Sequence, residues 1–188
     1  RHNLGFMIVE HFLKDFQTAK NTIWENNPKF KSEISQIEWQ PKHGELEKVI
    51  LAKPQTYMNN SGMAVQLITS YYKLLTTDVW VVHDDIDLPI GYMKIRFGGA
   101  SAGHHGVESV MENLATDKFW RFRMGIGQPR AREEGADYQM KNAEDYVLGN
   151  FTGQERGKLK SLIKRSVGAI ETGLEDGLDA AMNRFNTK

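Results

Sequence analysis

The sequence predicts an α/β fold: a single three-layer domain, residues 1–188, with a mixed central sheet and helices on both faces. Two features carry this reading. Short strand-like apolar segments alternate along the chain with segments of helical period, which is the pattern of helices layered on a sheet. No repeat or linker divides the 188 residues, a length that supports one substantial core. A third feature points to where function lies. "VWVVHDDIDLPIG", residues 79–91, is an apolar strand that runs into His83, Asp84, Asp85 and Asp87 before Pro89 and Gly91 break it. Open α/β sheets gather their sites at the carboxyl ends of strands.

The elements follow in order. Leu4, Met7, Ile8, Phe12 and Phe16 recur at near-helical spacing and predict a helix over 3–19. Residues 30–39 and 46–52 read as strands, the second closed by Pro54. A helix is expected over 59–74, capped by Asn59, Asn60 or Ser61. Strands follow at 79–83 and 92–97. Gly-rich "GGASAGHHG" leads into a helix over 106–115. "WRFRMGIG" alternates basic and apolar residues as a half-buried strand does. A loop is expected over 127–142. Thr152-x-x-Glu155 is a capping box ahead of a long helix marked by Leu159, Leu162, Ile163, Val167 and Ile170, and 178–185 forms a short last helix.

Composition narrows the function classes. The chain is 40% apolar and 26% charged, with zero net charge, so it is not a protein that coats nucleic acid nonspecifically. It has no cysteine, which excludes disulfides and thiol catalysis. No secretory signal or membrane-length apolar run is visible, so a cytoplasmic location and no membrane partner are expected. Charge is nevertheless uneven. Residues 88–107 contain Lys94 and Arg96 but no acid, and 118–132 contain Lys118, Arg121, Arg123, Arg130 and Arg132 but no acid. These windows read either as a solvated basic strand face or as a surface for anions.

Four segments could converge on the end of the acidic strand: His2-Asn3, "TYMNNSG" at 56–62, Asp84 itself, and "GASAGHHG" at 99–106. No Ser or Cys sits in a nucleophile elbow. A histidine could instead activate water with an aspartate orienting its ring, and Asn amides could hold a carbonyl. His83 and Asp84 are adjacent on a strand and face opposite ways, so His83 is expected to bond to backbone rather than share the site. Ligand-type side chains are plentiful here, but no H-x-x-x-H or H-E-x-x-H spacing occurs, so no metal is expected. Gly98-Gly99 fits a turn, since neither a dinucleotide fingerprint nor a Walker pattern surrounds it.

Taken in order, "RHNLGF", "KPQTYMNNSG", "VVHDDIDLPIG", "GGASAGHHGVES", "RFRMGIGQP" and "DYVLGNF" resemble the bacterial-type peptidyl-tRNA hydrolases over nearly the whole chain. The resemblance implies hydrolysis of the ester between a peptide C-terminus and the 3′ ribose of tRNA, by a monomer that uses no cofactor. It implies His2 and Asp84 as catalytic residues, with Asp85 and Asp87 serving the turn. Substrate would be bound by Tyr57, Met58, Asn59, His104 and His105, and tRNA phosphate by Arg96 and Arg123. His105 departs from the family, which has asparagine in that place. Family members also carry a strand and G-L-G-N-P-G ahead of R-H-N, so the sheet is expected to lack its first strand here. A non-catalytic RNA-binding protein on the same fold is the alternative, and a metal-dependent hydrolase a third reading.

Overall fold

The computed structural model describes residues 1–16, 23–127 and 143–186. Helix α1 (Leu4–Phe16) forms where the apolar residues recur at helical spacing, and it buries Leu4, Ile8, Phe12 and Leu13. Residues 17–19 of the predicted helix lie outside the described residues, as does nearly all of the loop expected over 127–142. Strands β1 (Glu25–Asn27), β2 (Ser32–Trp39) and β3 (Glu47–Pro54) form an antiparallel sheet in that order. The three-residue β1 is polar and has no alternation, so only its pairing with β2 identifies it.

Helix α2 (Ser61–Tyr72) follows a 3-10 turn over Met58–Asn60, and Lys73 ends it in the left-handed conformation. Strand β4 (Trp80–Pro89) is twice as long as expected, because its chain stays extended through the acids. Strand β5 (Met93–Phe97), helix α3 (His105–Leu114) and strand β6 (Trp120–Gly127) come next. Helices α4 (Ala143–Leu148), α5 (Arg156–Asp176) and α6 (Leu178–Phe185) complete the chain. The reciprocal bonds of the predicted capping box form, Thr152 N to Glu155 Oε2 at 2.7 Å and Glu155 N to Thr152 Oγ1 at 3.4 Å, but in the turn ahead of α5, whose own N-cap, Glu155, makes no side-chain cap bond.

The predicted mixed sheet is β4-β6-β5, with β4 parallel and β5 antiparallel to β6. Among the described residues it is a sheet of three strands, separate from β1-β2-β3. Its two faces carry two cores. On one, Phe122, Met124, Ile126, Met93 and Ile95 pack with residues of α1, α5 and α6. On the other, Val79 and Phe119 pack with Val107 and Val110 of α3, beside Val65 of α2. Helices therefore cover both faces, which gives the three layers.

Two close approaches set the helices that carry site residues. A Cβ on Gly5 would collide with the Val82 carbonyl, so only glycine lets the start of α1 lie on β4. A Cβ on Gly62 would collide with the Ser109 carbonyl, and Gly62 N donates to Ser109 Oγ at 3.0 Å. That contact seats the first turn of α2 against α3.

Candidate active site

The regular β4–β6 ladder runs from Trp80↔Trp120 to Asp85↔Gly125, then shifts register before Pro89↔Gly127. The acids sit where that ladder breaks. Asp84 is buried, its side chain 3% exposed, and its Oδ1 lies 3.0 Å from His2 Nδ1 and 3.2 Å from His104 Nε2. His2 reaches it from the turn before α1, held by its backbone N–H on Val147 O at 3.1 Å. His104 reaches it from the N-cap of α3. There its Nδ1 accepts from Gly106 N at 3.1 Å and Val107 N at 3.2 Å. An Nδ1 that accepts two N–H groups carries no proton in the neutral ring, so His104 donates Nε2–H to Asp84. Asp84 Oδ1 then accepts Nδ1–H from His2 as well, which leaves His2 Nε2 as the unprotonated atom of that ring.

The electrostatics follow from these contacts. Burial pushes the Asp84 carboxyl up, but hydrogen bonds from His104 and His2 outweigh it and hold it well below the usual carboxylate range. Asp84 is thus a fixed anion beside two rings. His83 is different. It is buried, and its Nδ1–H donates to the Asp84 carbonyl at 2.7 Å, as expected of a strand-end histidine on the opposite face. Burial, helped by the neighbouring His104, pushes its pKa down to about 4. The His83 and His104 rings meet edge to face at 4.8 Å.

Asp85 serves more than the turn. Its Oδ1 accepts from Asp87 N at 2.9 Å, as a turn acid would, but its Oδ2 pairs with Arg123 Nε at 2.6 Å. The register places Lys94 opposite Arg123 and Arg96 opposite Arg121, so four cations share one face of β5 and β6. Directly opposed like charges are unfavourable. Two of the four are compensated within the fold. Arg123 has Asp85, and buried Arg121 donates to the carbonyls of Gly98 and, at 2.7 Å, Ala100. Lys94 and Arg96 are exposed.

The remaining predicted residues stand at varying distance from this cluster. Asn59 is exposed in the 3-10 turn, and Tyr57 beside it is 84% exposed. Met58 Sδ lies against Gly106 and 4.0 Å from Ser61 Oγ, which ties the turn to the start of α3. His105 does not join His2 and Asp84. Its ring is 70% exposed and pairs with Glu108 Oε2 at 3.1 Å. Sequence reasoning missed Arg1, next to His2. Its guanidinium binds Glu155 at 2.9 Å and Tyr146 Oη at 2.7 Å and lies over the Tyr146 ring at 4.1 Å. The partners are about 150 positions away, and nothing local signals them. It also missed His104 as a partner of Asp84, for which the helix start beside Gly103 was the available signal.

His2, Asp84 and His104 offer ligand atoms that all lie within 4.8 Å of one another, a grouping that could hold a metal ion. The donor chemistry does not suit one. A ligating histidine presents a lone pair to the metal and donates its other N–H. His104 does the reverse, accepting at Nδ1 and directing Nε2–H at the carboxylate. The site as built is a hydrogen-bonded one.

A three-layer α/β fold with a buried carboxylate gripping two histidines at the strand ends defines a class: a hydrolase-type enzyme on an α/β sheet. Comparison with known proteins makes it specific. The family described as peptidyl-tRNA hydrolase matches residues 1–188. A peptidyl-tRNA hydrolase of Dehalococcoides mccartyi is 40% identical over 186 residues, covering 99% of this chain and 90% of that protein. One from Ligilactobacillus salivarius is 38% identical over 187 residues, covering 99% and 91%. The crystal structure of peptidyl-tRNA hydrolase from Acinetobacter baumannii superposes with a TM-score of 0.82 at 25% identity, covering 100% of this chain and 86% of that one. The chain belongs to the peptidyl-tRNA hydrolase family.

Proposed function

We propose that this chain hydrolyses the ester joining a peptide's C-terminus to the 3′ ribose of tRNA, with His2 as the base. The observation that carries the mechanism is the 3.0 Å contact between His2 Nδ1 and Asp84 Oδ1. It leaves Nε2 free to take a proton from water. The hydroxide attacks the ester carbonyl carbon, and the Asn59 amide donates to the oxyanion that forms. Collapse expels the ribose 3′ oxygen, which takes the proton back from His2 Nε2. The products are a free 3′ hydroxyl and a peptide carboxylic acid, which gives up its proton to solvent to become the carboxylate. Asp84 stays anionic throughout and stabilises the transient imidazolium. His104 keeps Asp84 in place by donating from the other side.

Tyr57 and Met58 flank the peptide end, and His105 reaches the substrate only by leaving Glu108. Arg96 and Arg123, on one face of adjacent strands, hold phosphate at the acceptor end of tRNA. Such contacts position RNA without reading its sequence. An ester brings its own electrophilic carbonyl, so no cofactor is required, and the chain acts as a single-domain monomer in the cytoplasm. No helix among the described residues is long and apolar enough to cross a membrane.

The test is hydrolysis of a peptidyl-tRNA mixture by the parent and by His2→Ala, each with and without chelator. Cleavage that survives chelation and is lost in the variant supports the mechanism. A parent that binds tRNA but leaves the ester intact would make it an RNA-binding protein instead.

A further inference from the structure

Two adjacent acids of β4 sit where its ladder with β6 shifts register, and the mechanism uses only the first. Asp85 is 6% exposed in its side chain, too buried for a solvated turn residue, and its partner Arg123 is 19% exposed. A buried carboxylate with one oxygen on a backbone N–H and the other on a guanidinium is rigidly held. Here the first oxygen takes Asp87 N at 2.9 Å and the second Arg123 Nε at 2.6 Å. The choice of Nε matters. Arg recognises phosphate through its planar fork of donors. Binding the carboxylate through Nε leaves the two terminal nitrogens as a pair, and among the described residues they carry no other hydrogen bond. Lys94 and His83 flank Arg123 directly on the neighbouring strands. Lys94 would repel an unheld guanidinium, while Asp85, one rung along the same face as His83, counters that push.

We propose that Asp85 is a positioning residue for tRNA binding: it fixes Arg123 so that its two terminal nitrogens present a bidentate phosphate site. The second acid of the strand thus acts on substrate affinity, as the first acts on chemistry. This rests on the reading of Arg123 as a phosphate anchor.

The experiment is a double-mutant cycle with D85N, R123Q and the double variant, reading kcat and KM for peptidyl-tRNA. D85N keeps the acceptor for Asp87 N but sets an amide donor against Arg123 Nε. We expect D85N to raise KM by about tenfold with kcat within about twofold, a loss on the scale of one charge-assisted hydrogen bond. R123Q should raise KM at least as much, and the double variant no further than R123Q. Loss of repulsion alone predicts the opposite sign, because removing a negative charge beside the phosphate lowers KM. An unchanged or lowered KM in D85N, with a raised one in R123Q, overturns the proposal and leaves the phosphate anchor standing. So do two effects that multiply in the double variant. An unaltered KM in R123Q removes the anchor, and the proposal with it. R123K retains the charge without the fork and leaves Asp85 in place, so it tests the same point if D85N fails to fold. A parental KM in R123K shows that charge alone suffices and also overturns it.

Discussion

Asp84 and Asp85 are neighbours in sequence, yet the two faces of β4 give them different company. Asp84 meets two histidines, His2 from the turn before α1 and His104 from the N-cap of α3, both on its Oδ1. Asp85 instead meets a guanidinium at the edge of a basic ladder. Both carboxylates are buried, but a histidine partner can exchange its proton and an arginine partner cannot. The first arrangement suits chemistry and the second suits anchoring. Adjacent like charges repel little here, because a strand turns them apart and each has its own donors.

The comparison breaks most sharply at Asp84→Asn. Its amide can donate as well as accept, so the His2 tautomer is no longer enforced and the imidazolium loses its counter-ion. The expected result is a fall in kcat of about 10³-fold or more at saturating peptidyl-tRNA, with KM little changed. A loss confined to KM would place Asp84 with Asp85 in binding.

His83 tests how dry the junction between the two faces is. Its folded-state pKa of about 4 lies below the ordinary histidine value of 6.5, so the unfolded chain binds the extra proton between those limits. The stabilisation is complete above pH 6.5 and is lost as pH falls towards 4, by about 3 kcal/mol in all. Asp84 adds its own loss only below the ordinary carboxylate range, since its pKa is also depressed. Thermal melts from pH 7 to 4 should therefore show a falling Tm, with the slope reduced in His83→Gln.

His104 separates capping from catalysis. His104→Ala removes the N-cap of α3, costing about 1 kcal/mol, and removes one donor to Asp84, lowering kcat about tenfold. His104→Asn restores a cap with too short a reach for Asp84, so stability should recover and kcat should not. Recovery of both would make His104 a structural cap alone. The smallest effect is expected at His105→Asn. The exposed pair with Glu108 contributes little, so Tm should stay unchanged. Any larger change in kcat would mean that His105 leaves Glu108 to meet substrate.

Much of the fold was legible along the chain because its signals are local. The apolar spacing from Leu4 to Phe16 marks α1, the Thr152–Glu155 box marks the approach to α5, and the alternation of "WRFRMGIG" marks β6. The strand ending in acids showed where to look, and period-two alternation placed His83 away from Asp84. What was not legible depended on pairing. β1 is recognisable only by its partner β2, and the length of β4 only by its neighbour β6. Expected roles for Asp85 and His105 were drawn from their positions in a motif, whereas their contacts come from Arg123 in another strand and Glu108 one helical turn on.

By itself, then, the sequence determined the α/β class, the order of helices and strands, and the residue types available at the strand ends, since these depend on periodicity and turn chemistry within a few residues. Only the tertiary structure decided which donors each carboxylate receives. His2 lies 82 positions from Asp84, His104 20 positions and Arg123 38 positions from Asp85. Packing brings them together through contacts such as Gly5 on the Val82 carbonyl, and the tautomers of His2 and His104 follow from hydrogen bonds that exist only once the layers have closed.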